Sequence, residues 1–449
     1  MAFPVNQKLA PGAVDTVREE IQPSEKDDML MVVTFSGGGT RAAALAYGVL
    51  EVLKETPGAA ENRRLLDEID LLSGVSGGSF AAAYYGLYGD AMFGWFETEF
   101  LKRDVQGDAI WELFKPWNWP RLASPLYGRS ELAADWLDRR YLFRAPLSEL
   151  LDDEGPRVHL NATDLSRGTS FAFTPEQFSI LCSDIRNVPI SRAVSASSAV
   201  PLVTSSVAIR NYAGECGLPE PAWVEEALNS GDYFSRSYHE ALRIRSYADG
   251  EARPWIHLVD GGLSDNLGLR SVIHYLGLDN ADASDDPSIT RNARKLVFLV
   301  VNAETRPDSN IDKSPASPGT RDILKSATDV PINRYNYESI LLLKQRLARW
   351  KKRRVEVCLE QQGDAVSEST RLAECADIDS YLIEVRFGAV QGSSLREFLF
   401  RVPTTLSLPP DVVDQILAAA GELLVRSPDY RRLVRDMNEQ VVRQRAEDD

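Results

Sequence analysis

A strand, a glycine-containing turn and a helix occur twice in succession near the start of the sequence, and this order constrains the fold more than any other feature. Residues 29–35 (MLMVVTF) form an apolar run typical of a buried strand, and apolar residues recur at near-helical spacing over 40–54. A second apolar run at 69–72 leads into GVSGG at 74–78 and then into a helix-prone segment. Strands that alternate with helices in this way predict a parallel sheet with crossover helices.

Further elements extend the same pattern toward the carboxyl end. The predicted strands are 157–162, 170–173, 255–260, 295–301 and 381–387, and the predicted helices are a long region from 322 to 354 interrupted by Pro331, then 410–426 and 428–443. The continuous apolar run at 295–301 is expected of a strand buried on both faces. We therefore predict an α/β fold with three α/β/α layers, a mainly parallel central sheet and a C-terminal helical extension.

The segment at 74–78 has the G-x-S-x-G pattern of a nucleophile elbow. Glycines on both sides of Ser76 remove the Cβ atoms that would collide in a sharp strand-to-helix turn. The N–H of Gly77 and the helix dipole would then face the place where an oxyanion forms during acyl transfer. The pattern favours serine acyl hydrolysis, and the alternative is an ordinary turn rich in glycine and serine.

A glycine-rich loop at 36–41 (SGGGTR) separates the first strand from its helix, and two interpretations compete for it. Gly37, Gly39 and Ala42 satisfy the G-x-G-x-x-A fingerprint of dinucleotide-binding folds. That fingerprint needs an acidic residue near the end of the second strand to hold a ribose, whereas residues 73–76 are SGVS. The loop therefore predicts an oxyanion hole rather than a cofactor site.

Asp260 ends the predicted strand at 255–260 and precedes two glycines. A carboxylate at a strand tip, with glycines giving access, can lie beside a serine presented by another strand tip. The alternative is a plain Asp-Gly turn.

Composition limits the partners. Fifty basic against 66 acidic residues give a net charge of −16, which argues against nucleic acid and against adsorption to anionic lipid by bulk charge. No apolar stretch approaches the length that spans a bilayer, and residues 1–6 have neither the basic nor the apolar region of an export signal. We expect a soluble or peripheral membrane protein of unknown location, and the sequence indicates no particular protein partner.

The cysteines are widely spaced and follow no zinc-binding pattern; they are Cys182, Cys216, Cys358 and Cys375. We expect free thiols in a reducing compartment, with a Cys358–Cys375 bridge as the alternative. No metal or other cofactor is predicted.

Two segments could contact a lipid surface. One is rich in aromatic residues: Phe93, Trp95, Phe96, Phe100, Trp111, Phe114, Trp117, Trp119 and Trp136. It predicts either a lid or acyl-chain groove, or a buried aromatic cluster. The other, KQRLARWKKRR at 344–354, could touch anionic head groups, although a solvated helix face is the favoured interpretation.

Taken together, the glycine loop at 37–41, the elbow at 74–78 and Asp260-Gly261-Gly262 resemble the patatin-like phospholipases, in the same order and in the expected strand contexts. The segment 196–201 (ASSAVP) is similar to the family's small-residue segment ending in proline. Ser36 and Ala42 depart from plant members, which carry Asp and Gly there, but the glycines and the basic residue are intact.

The resemblance implies three regions and a serine-aspartate dyad. The regions are an extended arm over 1–28, a catalytic domain over 29–305 and a largely helical extension over 306–449 that packs on it. The implied roles are Ser76 as nucleophile and Asp260 as proton acceptor, with the N–H groups of Gly38 and Gly39 as oxyanion donors. From the residues of the two turns, we also assign Gly37 and Gly77 to the predicted oxyanion hole, and we expect Arg41 either to bind a lipid phosphate, to brace the loop, or to lie at the surface.

The histidine positions agree with a dyad. His257 lies three residues from Asp260 on one strand, so the two side chains point to opposite faces. His274 follows Asp260 in the order of other α/β hydrolases but falls on a helix, about two turns after Asn266. A His274 triad is therefore the less favoured alternative.

The predicted function is hydrolysis of lipid acyl esters, of phospholipase A or lysophospholipase type, through an acyl-enzyme and with peripheral membrane contact. One alternative is a carboxylesterase for non-lipid or thioester substrates that uses the same dyad. Another is an inactive membrane-binding scaffold.

Overall fold

The computed structural model describes residues 6–10, 29–60, 62–142, 144–151, 155–201, 203–278, 288–306, 310–313, 315–361 and 367–448. Most of the predicted arm, 1–5 and 11–28, lies outside these residues. The strands are β1 Gln7–Lys8, β2 Met29–Phe35, β3 Ile69–Val75, β4 Arg157–Asp164, β5 Thr169–Phe173, β6 Ser183–Asp184, β7 Val207–Arg210, β8 Trp255–Asp260, β9 Lys295–Asn302 and β10 Asp379–Arg386.

Helices cover both faces of the sheet formed by these strands. They are α1 Thr40–Glu55, α2 Gly77–Tyr88, α3 Val105–Trp111, α4 Trp119–Leu122, α5 Arg129–Leu137, α6 Pro175–Ile180, α7 Ile190–Ser197, α8 Ala222–Asn229, α9 Arg236–Ala248, α10 Gly262–Asp265, α11 Leu269–Tyr275, α12 Thr320–Gln361, α13 Glu368–Glu374, α14 Ser393–Arg401, α15 Pro410–Arg426 and α16 Pro428–Asp448.

Eight strands form one mixed sheet in the order β10-β9-β2-β3-β4-β8-β7, with β5 also paired to β4. The five strands from β10 to β4 run parallel, whereas β5 and β8 lie antiparallel to β4, and β7 antiparallel to β8. Strands β2 and β9 are buried along their whole length, as expected of strands covered by helices on both faces. The predicted three-layer α/β/α class is confirmed.

Strand register brings two separate parts of the chain to one point on β4. Val75, the last residue of β3, pairs with Asn161, and Asp260, the last residue of β8, pairs with the next residue, Ala162. Because β4 holds both neighbours in register, the ends of β3 and β8 meet although 184 residues separate Ser76 from Asp260.

The region predicted as a helical extension also contributes to the sheet. Strand β10 pairs with β9 over eight residues, and α15 packs on α1 so closely that a Cβ at Gly48 would lie 2.8 Å from the Cβ of Ala420. The domain boundary at 305 stays a prediction, but the sheet and its core continue across it.

Helix α12 differs from its prediction. It continues through Pro331 without interruption and extends from Thr320 to Gln361. A proline removes one backbone donor, but the hydrogen bonds on either side of it can hold so long a helix together. Sequence patterns also did not predict β7, α8, α9 or α14.

The expectation of free thiols is wrong. The structure contains the disulfides Cys182–Cys216 and Cys358–Cys375, with Cα atoms 5.6 and 6.0 Å apart, so the alternative bridge is confirmed and a second is added. Spacing along the chain could not reveal the first pair, because folding brings its members together across 34 residues.

Candidate active site

Ser76 occupies a strained turn between β3 and α2. Its φ and ψ are 49° and −118°, a combination that non-glycine residues rarely adopt and that costs roughly 1–3 kcal/mol. The turn is held by close contact with the glycine loop, since a Cβ at Gly77 would lie 2.1 Å from the carbonyl oxygen of Gly39. The G-x-S-x-G pattern thus folds into the predicted strand-turn-helix geometry.

The hydroxyl of Ser76 donates to the carboxylate of Asp260, with 2.8 Å between Oγ and Oδ2. The other carboxylate oxygen, Oδ1, accepts the N–H of Gly262 at 2.8 Å, which fixes the orientation of the carboxylate. Asp260 retains some accessible surface but lies deep among protein atoms, and this burial raises its pKa to about 6, although the bonds from Gly262 and Ser76 act to lower it. At neutral pH the group is mainly a carboxylate able to accept a proton.

A second serine, Ser197 at the end of α7, forms hydrogen bonds both to Ser76 and to the residue that follows Asp260. Its Oγ accepts the backbone N–H of Ser76 at 2.9 Å and donates to the carbonyl of Asn161 at 2.5 Å. The hydroxyl of Ser79 lies 2.6 Å from Ser197 Oγ, and the Ser197 carbonyl accepts the N–H of Gly261 at 3.1 Å. One residue therefore positions both the nucleophile and the loop that follows Asp260.

The glycine loop lies beside the Ser76 hydroxyl, but its three N–H groups are not equivalent. The N–H of Gly37 already donates to the Asn266 carbonyl at 3.0 Å, so the predicted role of Gly37 as an oxyanion donor does not fit its hydrogen bonding. Among the described residues, no acceptor is bonded to the N–H groups of Gly38, Gly39 or Gly77. Those three donors can serve a developing oxyanion.

Comparison with known proteins agrees with this arrangement. The family described as patatin-like phospholipase matches residues 33–273, more than half of the chain. The chain belongs to the patatin-like phospholipase family. The matched region contains Ser76, Asp260 and the whole glycine loop.

Among solved structures, human GIVD cytosolic phospholipase A2 is similar over 92% of this chain and 60% of that chain, with 12% identity and a TM-score of 0.39. This chain thus aligns with well under two thirds of that protein. No curated protein sequence matches the chain.

Residues beyond the matched patatin-like region pack against the glycine loop. The carbonyl of Thr405 accepts the N–H of Thr40 at 2.8 Å, and a Cβ at Gly39, whose φ is +63°, would lie 2.3 Å from the same oxygen. Thr405 is held in turn by Gln106 at the start of α3, whose Oε1 accepts the threonine hydroxyl at 2.7 Å. A segment of the C-terminal extension therefore fixes the conformation of the glycine loop.

Arg41 also joins the loop to this extension. It is 2% exposed, and its guanidinium donates to the carbonyls of Ala303 and Val402 and to the hydroxyl of Thr404. Burial lowers the pKa of Arg41 to about 10, and the charge of Asp329 opposes that shift. The surface interpretation does not fit this buried position, and each of the three guanidinium nitrogens already donates inside the protein, which agrees with bracing of the loop rather than with substrate binding.

The histidines all have neighbours away from the dyad. His159 packs on Tyr275, His239 on Tyr238, His257 lies 3.2 Å from Ser206 Oγ, and His274 lies 3.5 Å from Glu240. Burial lowers the pKa of His159 to about 3, so that imidazole is neutral. The Ser76 hydroxyl instead donates its hydrogen bond to the Asp260 carboxylate.

Sequence reasoning missed two residues of this patatin-like site. Ser197 was noted only within a small-residue segment, and its contact with Ser76 depends on a fold that joins positions 121 residues apart. Asn266 was not singled out, yet its amide oxygen would lie 2.5 Å from a Cβ at Gly37 and 3.0 Å from one at Gly262. The only available signal was an amide side chain soon after the Asp-Gly-Gly segment.

The aromatic segment divides into a buried and an exposed part, so the predicted buried cluster accounts for only some of its residues, and the lid or acyl-chain groove stays a prediction. Phe96 and Phe100 are buried around Tyr84, Trp136 is buried against Tyr141, and Phe93 and Trp95 pack against the same core. Four others are largely exposed: Trp111, Phe114, Trp117 and Trp119. No described helix combines the length and hydropathy needed to span a membrane.

The basic segment at 344–354 lies on α12 and has both exposed and buried residues. Leu347 and Trp350 are buried in the core, Lys352 points to solvent, and Arg354 donates to the Ala293 carbonyl at 3.3 Å. The exposed basic residues agree with the solvated helix face that the sequence favoured, and contact with anionic head groups stays a prediction.

Proposed function

We propose that the protein is a lipid acyl hydrolase of phospholipase A or lysophospholipase type that uses Ser76 and Asp260. The observation that carries the proposal is the 2.8 Å hydrogen bond between Ser76 Oγ and Asp260 Oδ2 at a strained turn facing the glycine loop. A nucleophile and base within hydrogen-bond reach, with unused backbone donors alongside, are the parts that acyl transfer requires.

In the first half of the reaction, Asp260 accepts the proton of the Ser76 hydroxyl while Oγ attacks the ester carbonyl carbon. The N–H groups of Gly38, Gly39 and Gly77 stabilise the negative charge that develops on the carbonyl oxygen. The tetrahedral intermediate then collapses, the ester C–O bond breaks, and Asp260 returns the proton to the departing alkoxide. Ser76 is left acylated.

In the second half, a water molecule attacks the acyl-enzyme as Asp260 takes one of its protons. The same donors stabilise the second oxyanion, and collapse releases the fatty acid while the proton returns to Ser76 Oγ. The carboxylate suits both halves, because its pKa of about 6 lets it hold a proton briefly and give it back near neutral pH.

Labelling with a fluorophosphonate tests the chemistry directly. We expect the native chain to be labelled and the Ser76→Ala variant not to be. Equal labelling of both proteins, or no labelling of the native chain by any fluorophosphonate, would contradict the serine nucleophile and favour an inactive scaffold.

Product analysis separates the two hydrolase alternatives. Native protein is incubated with phosphatidylcholine vesicles and, separately, with soluble short-chain esters and thioesters, and released acids are measured. We expect fatty acid release from the vesicles. Hydrolysis confined to the soluble esters or thioesters would replace the lipid proposal with a carboxylesterase that uses the same dyad.

A further inference from the structure

Five apolar side chains lie exposed between residues 110 and 119, on α3, on α4 and on the segment that joins them. We call them the aromatic patch: Ile110, Trp111, Phe114, Trp117 and Trp119. The four aromatic members are 60–69% exposed. Soluble proteins seldom expose several large apolar side chains together, and such groups mark interaction surfaces.

The backbone that carries the patch is internally braced, so the rings are presented in a defined arrangement. The buried amide of Asn118 donates to the carbonyl of Glu112 at 2.8 Å, and the indole N–H of Trp119 donates to the carbonyl of Leu113 at 3.1 Å. The rings of Trp111 and Phe114 lie 6.2 Å apart. Exposure of these rings is therefore a property of an ordered segment.

The basic side chains beside the patch are paired with carboxylates. Lys115 pairs with Glu112 at 2.5 Å, Arg139 approaches the same carboxylate at 3.3 Å, and Arg121 pairs with Asp135. With a net charge of −16 for the whole chain, attraction to an anionic surface is not the driving force here. Tryptophan and phenylalanine at a site whose basic side chains are already ion-paired are suited instead to the interfacial region of a lipid layer.

Placement of the patch connects it to the catalytic glycines. Gln106, near the start of α3, bonds to Thr405 and Leu406 through both its side chain and its backbone N–H. Thr405 in turn accepts the N–H of Thr40, next to the oxyanion loop. Ile110 lies about one helical turn further along α3 than Gln106. The patch thus begins close to the segment that backs the active site.

We propose that the aromatic patch docks the protein on a zwitterionic lipid membrane, by insertion of its rings rather than by charge. The choice of a membrane as the partner of the patch rests on the proposed function, because an enzyme with a lipid substrate must bring its active site next to a membrane. Binding itself needs no turnover, so it is measurable in a protein that lacks the nucleophile.

The test uses full-length Ser76→Ala protein and vesicles of phosphatidylcholine alone, with bound protein measured by co-sedimentation. We expect Trp117→Ala with Trp119→Ala, added to that background, to weaken partitioning by about tenfold or more. Phe234→Ala serves as the matched control, because Phe234 is 95% exposed on the loop between α8 and α9, and it should change partitioning by less than about twofold.

The salt dependence of vesicle binding provides a second, independent test. Raising NaCl from about 0.1 M to about 1 M shortens the Debye length from about 10 Å to about 3 Å, and we expect binding to be retained. A requirement for anionic lipid, or loss of binding in high salt, would overturn the proposal in favour of charge-driven docking.

Three further outcomes contradict the proposal: full binding by the double variant, an equal loss in Phe234→Ala, or a change of oligomeric state in the double variant without a change in vesicle binding. Thermal unfolding checks that the double variant is folded, and Trp111→Ala with Phe114→Ala replaces it if it is not. Failure of fluorophosphonate labelling would reject the proposed function, whereas vesicle binding by the Ser76→Ala protein would be unaffected, so the two failures are distinguishable.

Discussion

The corner formed by Ser76, Asp260 and the glycine loop is connected to the aromatic patch through Thr405, but the two regions are built in opposite ways. At the corner, glycines bring backbones into contact, and the Ser76 and Asp260 side chains both have hydrogen-bond partners. At the patch, large side chains extend into solvent from a segment held by local hydrogen bonds. Under the proposed function, catalysis would depend on the fixed distances at the corner, whereas the patch offers contact area. Substitutions at the corner should therefore impair turnover strongly, and substitutions at the patch should leave the fold intact.

The largest effect is expected at Asp260. Asp260→Asn preserves shape but removes the proton acceptor, and we expect turnover to fall by about 10³-fold. Asp265→Asn is the matched control, because burial also raises the pKa of Asp265 to about 6 while its carboxylate bonds to the Arg270 N–H instead of Ser76. Comparable losses in both variants would show that a general effect of buried charge, rather than proton transfer at Asp260, limits turnover.

Gly39 tests whether close backbone contact is needed. Gly39→Ala would place a Cβ 2.3 Å from the Thr405 carbonyl oxygen and displace an oxyanion donor, so we expect a rise of about 3 kcal/mol in the barrier, roughly a hundredfold loss in kcat/KM. Gly168→Ala provides the control, since Gly168 has nearly the same φ, +66°, but open space around it. Equal losses of activity in the two variants would assign the effect to backbone strain and not to the contact.

The pH dependence follows from Asp260. Its pKa is about 6 in the folded protein, so below that pH the carboxyl is protonated and cannot accept the Ser76 proton. We expect kcat/KM to rise with pH up to about 6 and to fall about tenfold per unit below it. Stopped assays with a soluble ester across this pH range measure the fall in kcat/KM at acid pH. The Asp265→Asn variant should show the same fall. Activity that is flat down to about pH 4 would contradict a carboxylate base with a raised pKa.

Ser197 should show a smaller effect, mainly on stability. Ser197→Ala leaves the Ser76 N–H without its acceptor, and we expect the free energy of unfolding to fall by about 1–3 kcal/mol. Denaturant unfolding measures it. Ser230→Ala, which removes an exposed hydroxyl bonded to Ala227, should change the same quantity by less than about 0.5 kcal/mol. A neutral Ser197→Ala would mean that water replaces the serine hydroxyl.

The smallest effect is expected at the patch. Trp117→Ala should change the free energy of unfolding by less than about 0.5 kcal/mol, because the ring is 69% exposed and contributes little to the core. Denaturant unfolding under the conditions used for Ser197→Ala makes the two directly comparable. A loss above about 1 kcal/mol would mean that the ring is packed in solution, and the contrast between the two regions would disappear.

Much of the fold and of the candidate site could be predicted because it depends on short-range rules. Apolar runs located β2, β3, β8 and β9 to within a few residues, since burial on both faces of a sheet requires such runs. Tight turns need glycine, which marked the elbow and the loop at 37–39. The region from 89 to 142 was not resolved into elements, because its short helical turns have no clear period.

The sequence by itself determined the chemical parts of the site: a serine in a tight turn, glycines able to expose their N–H groups, and an aspartate at the end of a strand. Only the tertiary structure decided how those parts are supported. The brace at Thr405, the engagement of Gly37 by Asn266, the inward position of Arg41, the pairing of Cys182 with Cys216 and the division of the aromatic segment all depend on chain segments distant in sequence. Local patterns report backbone preference and burial, whereas these contacts arise from packing of the whole chain.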